Sequence, residues 1–65
     1  MLDQLQALKG KFWTSLEEMV AEIQEQGFEV EDYNEEYVEV DFEEEEHYTI
    51  HLIVAGSTIA VQEIN

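Results

Sequence analysis

The chain has 65 residues, with 17 Asp and Glu against two Lys and no Arg, and a formal net charge of −15 at neutral pH. Most of these carboxylates have no cation within the chain, so they repel one another and must stay hydrated. Nucleic acids and anionic membranes attract proteins through Lys and Arg, so neither is an expected direct partner. A basic, Lys- and Arg-rich protein surface is the physical complement.

The length predicts one domain, spanning residues 1–65. The chain has no cysteine, which excludes disulfides and thiolate-bound metals as supports for a small core. Apolar residues make up 45% of the sequence and recur periodically, which predicts a folded chain rather than a disordered one. No secretory signal or membrane-spanning segment is recognisable, so we expect a soluble, cytoplasmic protein.

The first third of the chain has the apolar spacing of a helix. Steps of three and four residues connect Leu2, Leu5, Leu8, Phe12, Leu16, Met19, Val20 and Ile23. Gly10 interrupts this pattern, and Thr14 and Ser15 each precede a glutamate by three residues, as in a capping box. One helix over about residues 2–26 fits, but we favour a break between Gly10 and Thr14, with Gly27 as the stop signal.

From Phe28 onwards the apolar period changes to two, which is typical of half-buried strands. The alternation predicts strands at 28–31, 38–42, 48–54 and 58–64, with a turn over 32–36 and a loop over 43–46. Gly56-Ser57 suits a two-residue hairpin turn. Placing Ala55 opposite Thr58, and Phe42 opposite Tyr48, keeps apolar side chains on one face.

These elements predict an α+β fold, with an N-terminal helix packed on a four-stranded antiparallel β-meander. The helix is expected to cover Phe28, Val30, Val38, Val40, Phe42, Ile50, Leu52, Val54, Ile59 and Val61. Ile53, Ala60 and Ile64 are expected on the opposite face of the sheet.

The opposite face also receives the strand acids Glu29, Glu31, Glu39 and Asp41. Strand geometry spaces such side chains by about 6.7 Å along a strand and about 4.8 Å between strands, which is broadly similar to backbone phosphates. A charge of −15 exceeds the magnitude of about 2–8 that keeps a small domain soluble. The candidate partner-binding residues, including loop acids, are Glu29, Glu31, Glu35, Glu36, Glu39, Asp41, Glu43, Glu44, Glu45 and Glu46.

An alternative interpretation gives these acids no role beyond hydration. The protein would then be a structural or accessory subunit that binds its partner through Trp13 and the N-terminal leucines. Spare apolar surface at Trp13, Ile53, Ala60 and Ile64 also raises a homodimer as an alternative to partial burial.

Metal binding and catalysis are weaker alternatives. Glu43 to Glu46, which precede His47 and lie near His51, offer oxygen ligands for Ca²⁺ or Mg²⁺ but lack the spaced acids and glycine of a shaped loop. Paired carboxylates need an apolar pocket to divide acid and base roles, and a chain this small has little room for one. We predict no metal, no cofactor and no enzymatic activity.

In size, composition and the alternating acids from Glu29 to Glu46, the chain resembles small acidic DNA-mimic proteins of phages and mobile elements. These include inhibitors of the nucleoid protein HU, restriction enzymes, uracil-DNA glycosylase and CRISPR effectors. The resemblance includes no sequence motif, so it assigns no residue a role. It implies an inhibitor that occupies the basic nucleic-acid-binding groove of a host protein.

Overall fold

A computed structural model describes residues 2–43 and 45–65. The elements are α1 (Leu2–Gln6), a 3-10 turn (Ala7–Gly10), β1 (Phe12–Trp13), α2 (Leu16–Glu25), β2 (Glu29–Tyr33), β3 (Tyr37–Phe42), β4 (Glu46–Ala55) and β5 (Thr58–Ile64). This confirms the predicted α+β class. Among the described residues, no helix has the length and apolar character needed to cross a bilayer.

The N-terminal helical segment is broken between Gly10 and the capping-box residues Thr14 and Ser15, as predicted. The 3-10 turn ends at Gly10, and α2 begins directly after Ser15. The Ser15 hydroxyl caps α2 by accepting the backbone N–H of Glu18 at 3.1 Å, while the Thr14 hydroxyl donates to the Glu18 carboxylate at 3.1 Å. Gly27 ends the helix with a φ of 99°, a left-handed conformation that favours glycine.

The described residues form five strands, so the predicted count of four is wrong. The sheet is antiparallel, with the order β1-β5-β4-β3-β2. The additional strand is Phe12–Trp13, which pairs with Ala60 and Ile59 of β5. Two residues are too few to show a period of two, and Phe12 fitted the helical spacing, so the alternation pattern could not reveal this strand.

The hairpin between β4 and β5 has the predicted register over its first half. The pairs are Ala55–Thr58, Val54–Ile59, Ile53–Ala60 and Leu52–Val61. A bulge then follows, so His51 pairs with Glu63 rather than with Gln62 as predicted. The extra residue brings Ile64 opposite the buried Ile50, on the helix side. The prediction that Ile64 faces away from the helix is therefore wrong.

The register between β3 and β4 is shifted by two residues from the prediction. Phe42 pairs with Glu46 instead of Tyr48, and the same shift gives the pairs Val40–Tyr48 and Val38–Ile50. Because side chains alternate with a period of two, every side chain keeps its predicted face. The shift arises because β4 already begins at Glu46, within the predicted loop, and because Glu43 adopts a left-handed turn conformation with a φ of 59°.

The core lies between the helical segments and the inner face of the sheet. Its buried side chains are Leu5, Leu8, Trp13, Met19, Val20, Ile23, Phe28, Val38, Val40, Ile50, Leu52, Ile59 and Val61. Val30 and Phe42 pack against this cluster while partly exposed, and the rings of Phe28 and Phe42 lie 5.1 Å apart at 57°. Val54 is the exception to the predicted helix-facing set, since it is 45% exposed.

Candidate functional site: an acidic sheet face

On the outer face of the sheet, which points away from α2, the side chains change from acidic on β2 and β3 to apolar where β4, β5 and β1 meet. The strand register aligns four rows of side chains, namely Glu29–Asp41–His47, Asp32–Glu39–Thr49, Tyr37–His51–Glu63 and Ile53–Ala60–Phe12. We call Glu29, Glu31, Asp32, Glu39 and Asp41 the acidic face, and Ile53, Ala60 and Phe12 the apolar row. The predicted strand acids therefore lie together on β2 and β3.

A bulge in β2 concentrates the charge on this face. The register shifts between Val30 and Asp32, which leaves Glu31 without a partner residue on β3. Such a bulge places two residues opposite one and re-aims their side chains. Asp32, predicted to belong to a turn, consequently pairs with Glu39 on the outer face.

The His47 ring lies among the carboxylates of the acidic face, with both of its nitrogens close to carboxylate oxygens. Its Nδ1 lies 2.7 Å from Oδ1 of Asp41 and 3.2 Å from Oε2 of Glu31, and its Nε2 lies 3.7 Å from Oε1 of Glu39. These carboxylates come from both β2 and β3, so one ring connects two strands. We call these four residues the His47 cluster.

The pKa values in the His47 cluster follow from this geometry. The hydrogen bond with Asp41 raises the pKa of His47, and the charges of Asp41, Glu31 and Glu39 add to the rise, against a smaller opposing effect of desolvation. The Asp41 carboxyl also raises the pKa of Glu31, first by hydrogen bonding to its protonated form and then by charge repulsion. Glu31 and His47 thus bind protons more tightly than isolated side chains do.

The predicted loop acids that the structure describes do not form one group. Glu35 and Glu36 are exposed in the turn between β2 and β3, where the Asn34 side chain accepts the backbone N–H of Glu36 at 2.7 Å. Glu43 and Glu45 are exposed beside the end of β3, and Glu44 lies outside the described residues. Glu35, Glu36, Glu43 and Glu45 border the acidic face rather than lie within its rows of strand residues.

Glu46 belongs to the other side of the sheet. Its register partner is Phe42, on the helix side, and its Oε1 accepts the hydroxyl hydrogen of Tyr48 at 2.7 Å. This hydrogen bond raises the pKa of Tyr48. Glu46 is thus engaged locally and does not join the outer carboxylates.

The position of His47 between the carboxylates of β2 and β3 follows from the strand pairing and was not predicted from the sequence. The alternation of β4 places His47 on the outer face, which was a usable signal. The two-residue register error put it beyond the end of β3 instead of opposite Asp41. The β2 bulge left no signal, since Glu29-Val30-Glu31 alternates as a regular strand does.

No metal is assigned to this face. Ligand-type atoms of Glu31, Asp41 and His47 lie within 4.8 Å of one another, but the hydrogen bond and ion pairs of the ring already account for that spacing. The described residues form no pocket, so the acidic face is an open surface. The absence of a metal, cofactor or catalytic function stays a prediction.

A second cation–carboxylate contact lies at the opposite edge of the sheet. Nζ of Lys11 is 2.8 Å from Oε2 of Glu22, and the Trp13 indole N–H donates to Oε1 of the same carboxylate at 3.4 Å. The hydrogen bond from Lys11 is the largest cause that lowers the pKa of Glu22. We call these three residues the Glu22 contact.

Comparisons with protein-family models, with curated proteins and with solved structures find no match for this chain. The resemblance to DNA mimics therefore remains one of size, composition and alternating acids.

Proposed function

We propose that the protein is an acidic interaction module that binds the Lys- and Arg-rich surface of a DNA-binding protein and blocks it as a DNA mimic. The observation that supports this proposal is the placement of Glu29, Asp41, Asp32 and Glu39 side by side across β2 and β3. Neighbouring strands lie about 4.8 Å apart, so the backbone positions that carry these carboxylates are closely spaced. A partner evolved to bind rows of phosphates meets a comparable row of negative charges.

The distribution of cations supports the same proposal. Lys11 directly precedes β1, and the sheet order places β1 and β2 at opposite edges. Lys11 is also engaged by Glu22. Lys11 therefore does not belong to the strands of the acidic face, and an acidic surface of this kind guides association with a basic partner through charge complementarity.

A pull-down from bacterial lysate, eluted along a NaCl gradient, tests this proposal and identifies the partner. We expect a basic DNA-binding protein that elutes sharply as salt rises and that duplex DNA also releases, because both would compete for the same Lys and Arg side chains. A neutral partner that remains bound at high salt would contradict charge mimicry.

Charge reversal then locates the binding surface. The double variant Glu39→Lys and Asp41→Lys should abolish capture of that partner while circular dichroism shows an intact fold. The matched control, Glu17→Lys with Glu25→Lys, changes the net charge equally on exposed positions of α2. Equal loss in both variants would mean that only net charge matters, and unchanged capture in the first would exclude the acidic face.

One observation supports the alternative of a structural or accessory subunit. Phe12 is 73% exposed and Ile53 50% exposed, at the two ends of the apolar row. In contrast, Leu5, Leu8 and Trp13, which that alternative invoked, are buried within the chain. An apolar partner or a second copy of the chain would therefore contact the apolar row, and its binding would be nearly insensitive to salt.

A further inference from the structure

The acidic face contains an ionisable base of its own, His47, which is a cation only when protonated. The His47 ring sits where its two nitrogens reach carboxylates on the neighbouring strand β3, at 2.7 Å from Asp41 and 3.7 Å from Glu39, and on β2 beyond it, at 3.2 Å from Glu31. The ring is 49% exposed, so solvent and a partner side chain can both reach it. A planar group with N–H donors at two edges resembles the end of an arginine side chain.

The charge of His47 decides how many carboxylates it holds. A protonated imidazole donates from both nitrogens, whereas a neutral imidazole has one donor and one acceptor. Loss of the proton turns one ring nitrogen into an acceptor that faces a carboxylate, and it removes the positive charge that offsets Glu31, Glu39 and Asp41. The same carboxylates then become available to another cation.

We propose that His47 gates the acidic face according to pH: when charged it occupies the carboxylates of Glu31, Glu39 and Asp41, and when neutral it leaves them to an arginine or lysine of the partner. This inference rests on the proposed function for the identity of the ligand. The titration of His47 itself does not depend on it.

The charged groups around His47 all favour its protonated form. Asp41 and Glu39 face it from β3, and Glu31 faces it from β2. Glu29 lies beyond Asp41 in the same row. From β5, the nearest charged group in the outer rows is Glu63, opposite His51, and on its own strand His47 follows Glu46. His47 therefore becomes neutral, and leaves the carboxylates to the partner, only above the ordinary titration range of histidine. The raised pKa of His47 also indicates this.

The first test is an NMR titration of the His47 ring in the free protein. We expect His47 to titrate above the ordinary histidine value of about 6.5, and to move back toward it in Asp41→Asn, which keeps the side-chain shape but removes the charge. Titration of His47 at or below the ordinary value would overturn the gate, whatever the protein binds.

The second test measures binding of a short oligo-arginine peptide at low salt. Arginine stays charged across the range, so the peptide itself does not titrate. We expect its affinity to rise about two- to fivefold between about pH 6 and about pH 8.5, which is the range of a partly exposed ion pair. His47→Gln should bind at the higher affinity throughout, while the control His51→Gln should keep the pH dependence of the natural chain.

The outcomes separate the gate from the proposed function. Binding of equal strength at both pH values in the natural chain, or a retained pH dependence in His47→Gln, would overturn the gate and leave the acidic face as a binding surface. No binding of the peptide at either pH would overturn the proposed function, and the gate with it.

Discussion

The Glu22 contact and the His47 cluster both join carboxylates to nitrogen donors, toward opposite edges of one sheet, but the ratio of donors to carboxylates is reversed. In the Glu22 contact, one carboxylate receives a Lys11 ammonium at 2.8 Å and an indole N–H at 3.4 Å. In the His47 cluster, three carboxylates surround one imidazole. Donors are in excess at the first edge and acceptors at the second.

This reversal gives the two edges opposite responses to pH. The lowered pKa of Glu22 means that its contact stabilises the fold above the ordinary glutamate range, and this stability is lost as pH falls through the lowered value. The raised pKa values of Glu31 and His47 have the opposite effect, since stability is present at low pH and is lost as pH rises through each raised value. Glu31 and His47 therefore stabilise the fold most under mildly acidic conditions.

The largest expected effect comes from removing the buried ring beside Glu22. Trp13 is 6% exposed, whereas its neighbour Phe12 is 73% exposed on the other face of β1. Trp13→Ala should cost about 3–5 kcal/mol of unfolding free energy, which is most of the stability of so small a domain. Phe12→Ala, the matched control, should change it by no more than about 0.5 kcal/mol.

Urea unfolding followed by far-ultraviolet circular dichroism measures both variants without relying on the indole. Trp13→Phe should lie between them, because it keeps a buried ring but loses the N–H that reaches Glu22. Equal losses for Trp13→Ala and Phe12→Ala would show that β1 does not place these two side chains on opposite faces.

The sequence predicted the parts of the fold that depend on local backbone chemistry, but not those that depend on distant pairing. The break after Gly10, a cap at either Thr14 or Ser15, the stop at Gly27 and the hairpin at Gly56 all depend on local backbone chemistry, and all were predictable. β1 was not, because its two residues form a strand only by pairing with Ile59 and Ala60. Pairing partners distant in sequence leave no local signal in so short a segment.

The sequence predicted which acids share the outer face of the sheet, but not which side chains on that face are in contact. Alternation alone assigned Glu29, Glu39 and Asp41 to the outer face, since a period of two survives a register shift of two residues. The neighbours of His47 depend on the register itself and on the bulge at Glu31. Neither follows from alternation, so the bridge across the acidic face became visible only with the strand pairing.

A smaller effect is expected from Glu22→Gln, which sharpens the contrast between the edges. This variant keeps the side-chain shape but weakens the contact with Lys11, so it should cost about 0.3–1 kcal/mol at neutral pH, as for other partly exposed ion pairs. The loss should shrink as pH falls through the lowered pKa of Glu22. Thermal melts at several pH values measure it.

The control for this effect is Glu25→Gln, on an exposed position of the same helix. Removing one charge from a chain of net charge −15 relieves repulsion, so the control should be neutral or slightly stabilising. If Glu22→Gln behaved in the same way, the Lys11 ion pair would contribute nothing measurable.

The smallest expected effect comes from Glu31→Gln in the His47 cluster, and its sign is opposite. Glu31 lies beside Asp41, which disfavours its ionised form, so removing the charge should raise the melting temperature at neutral pH instead of lowering it. The advantage should vanish at acidic pH, where Glu31 is protonated in the natural chain. It should also shrink in salt, since the screening length is about 10 Å at 0.1 M and shorter above. A lower melting temperature for Glu31→Gln at neutral pH would mean that its ion pair with His47 outweighs its repulsion by Asp41, and the two edges would then respond alike.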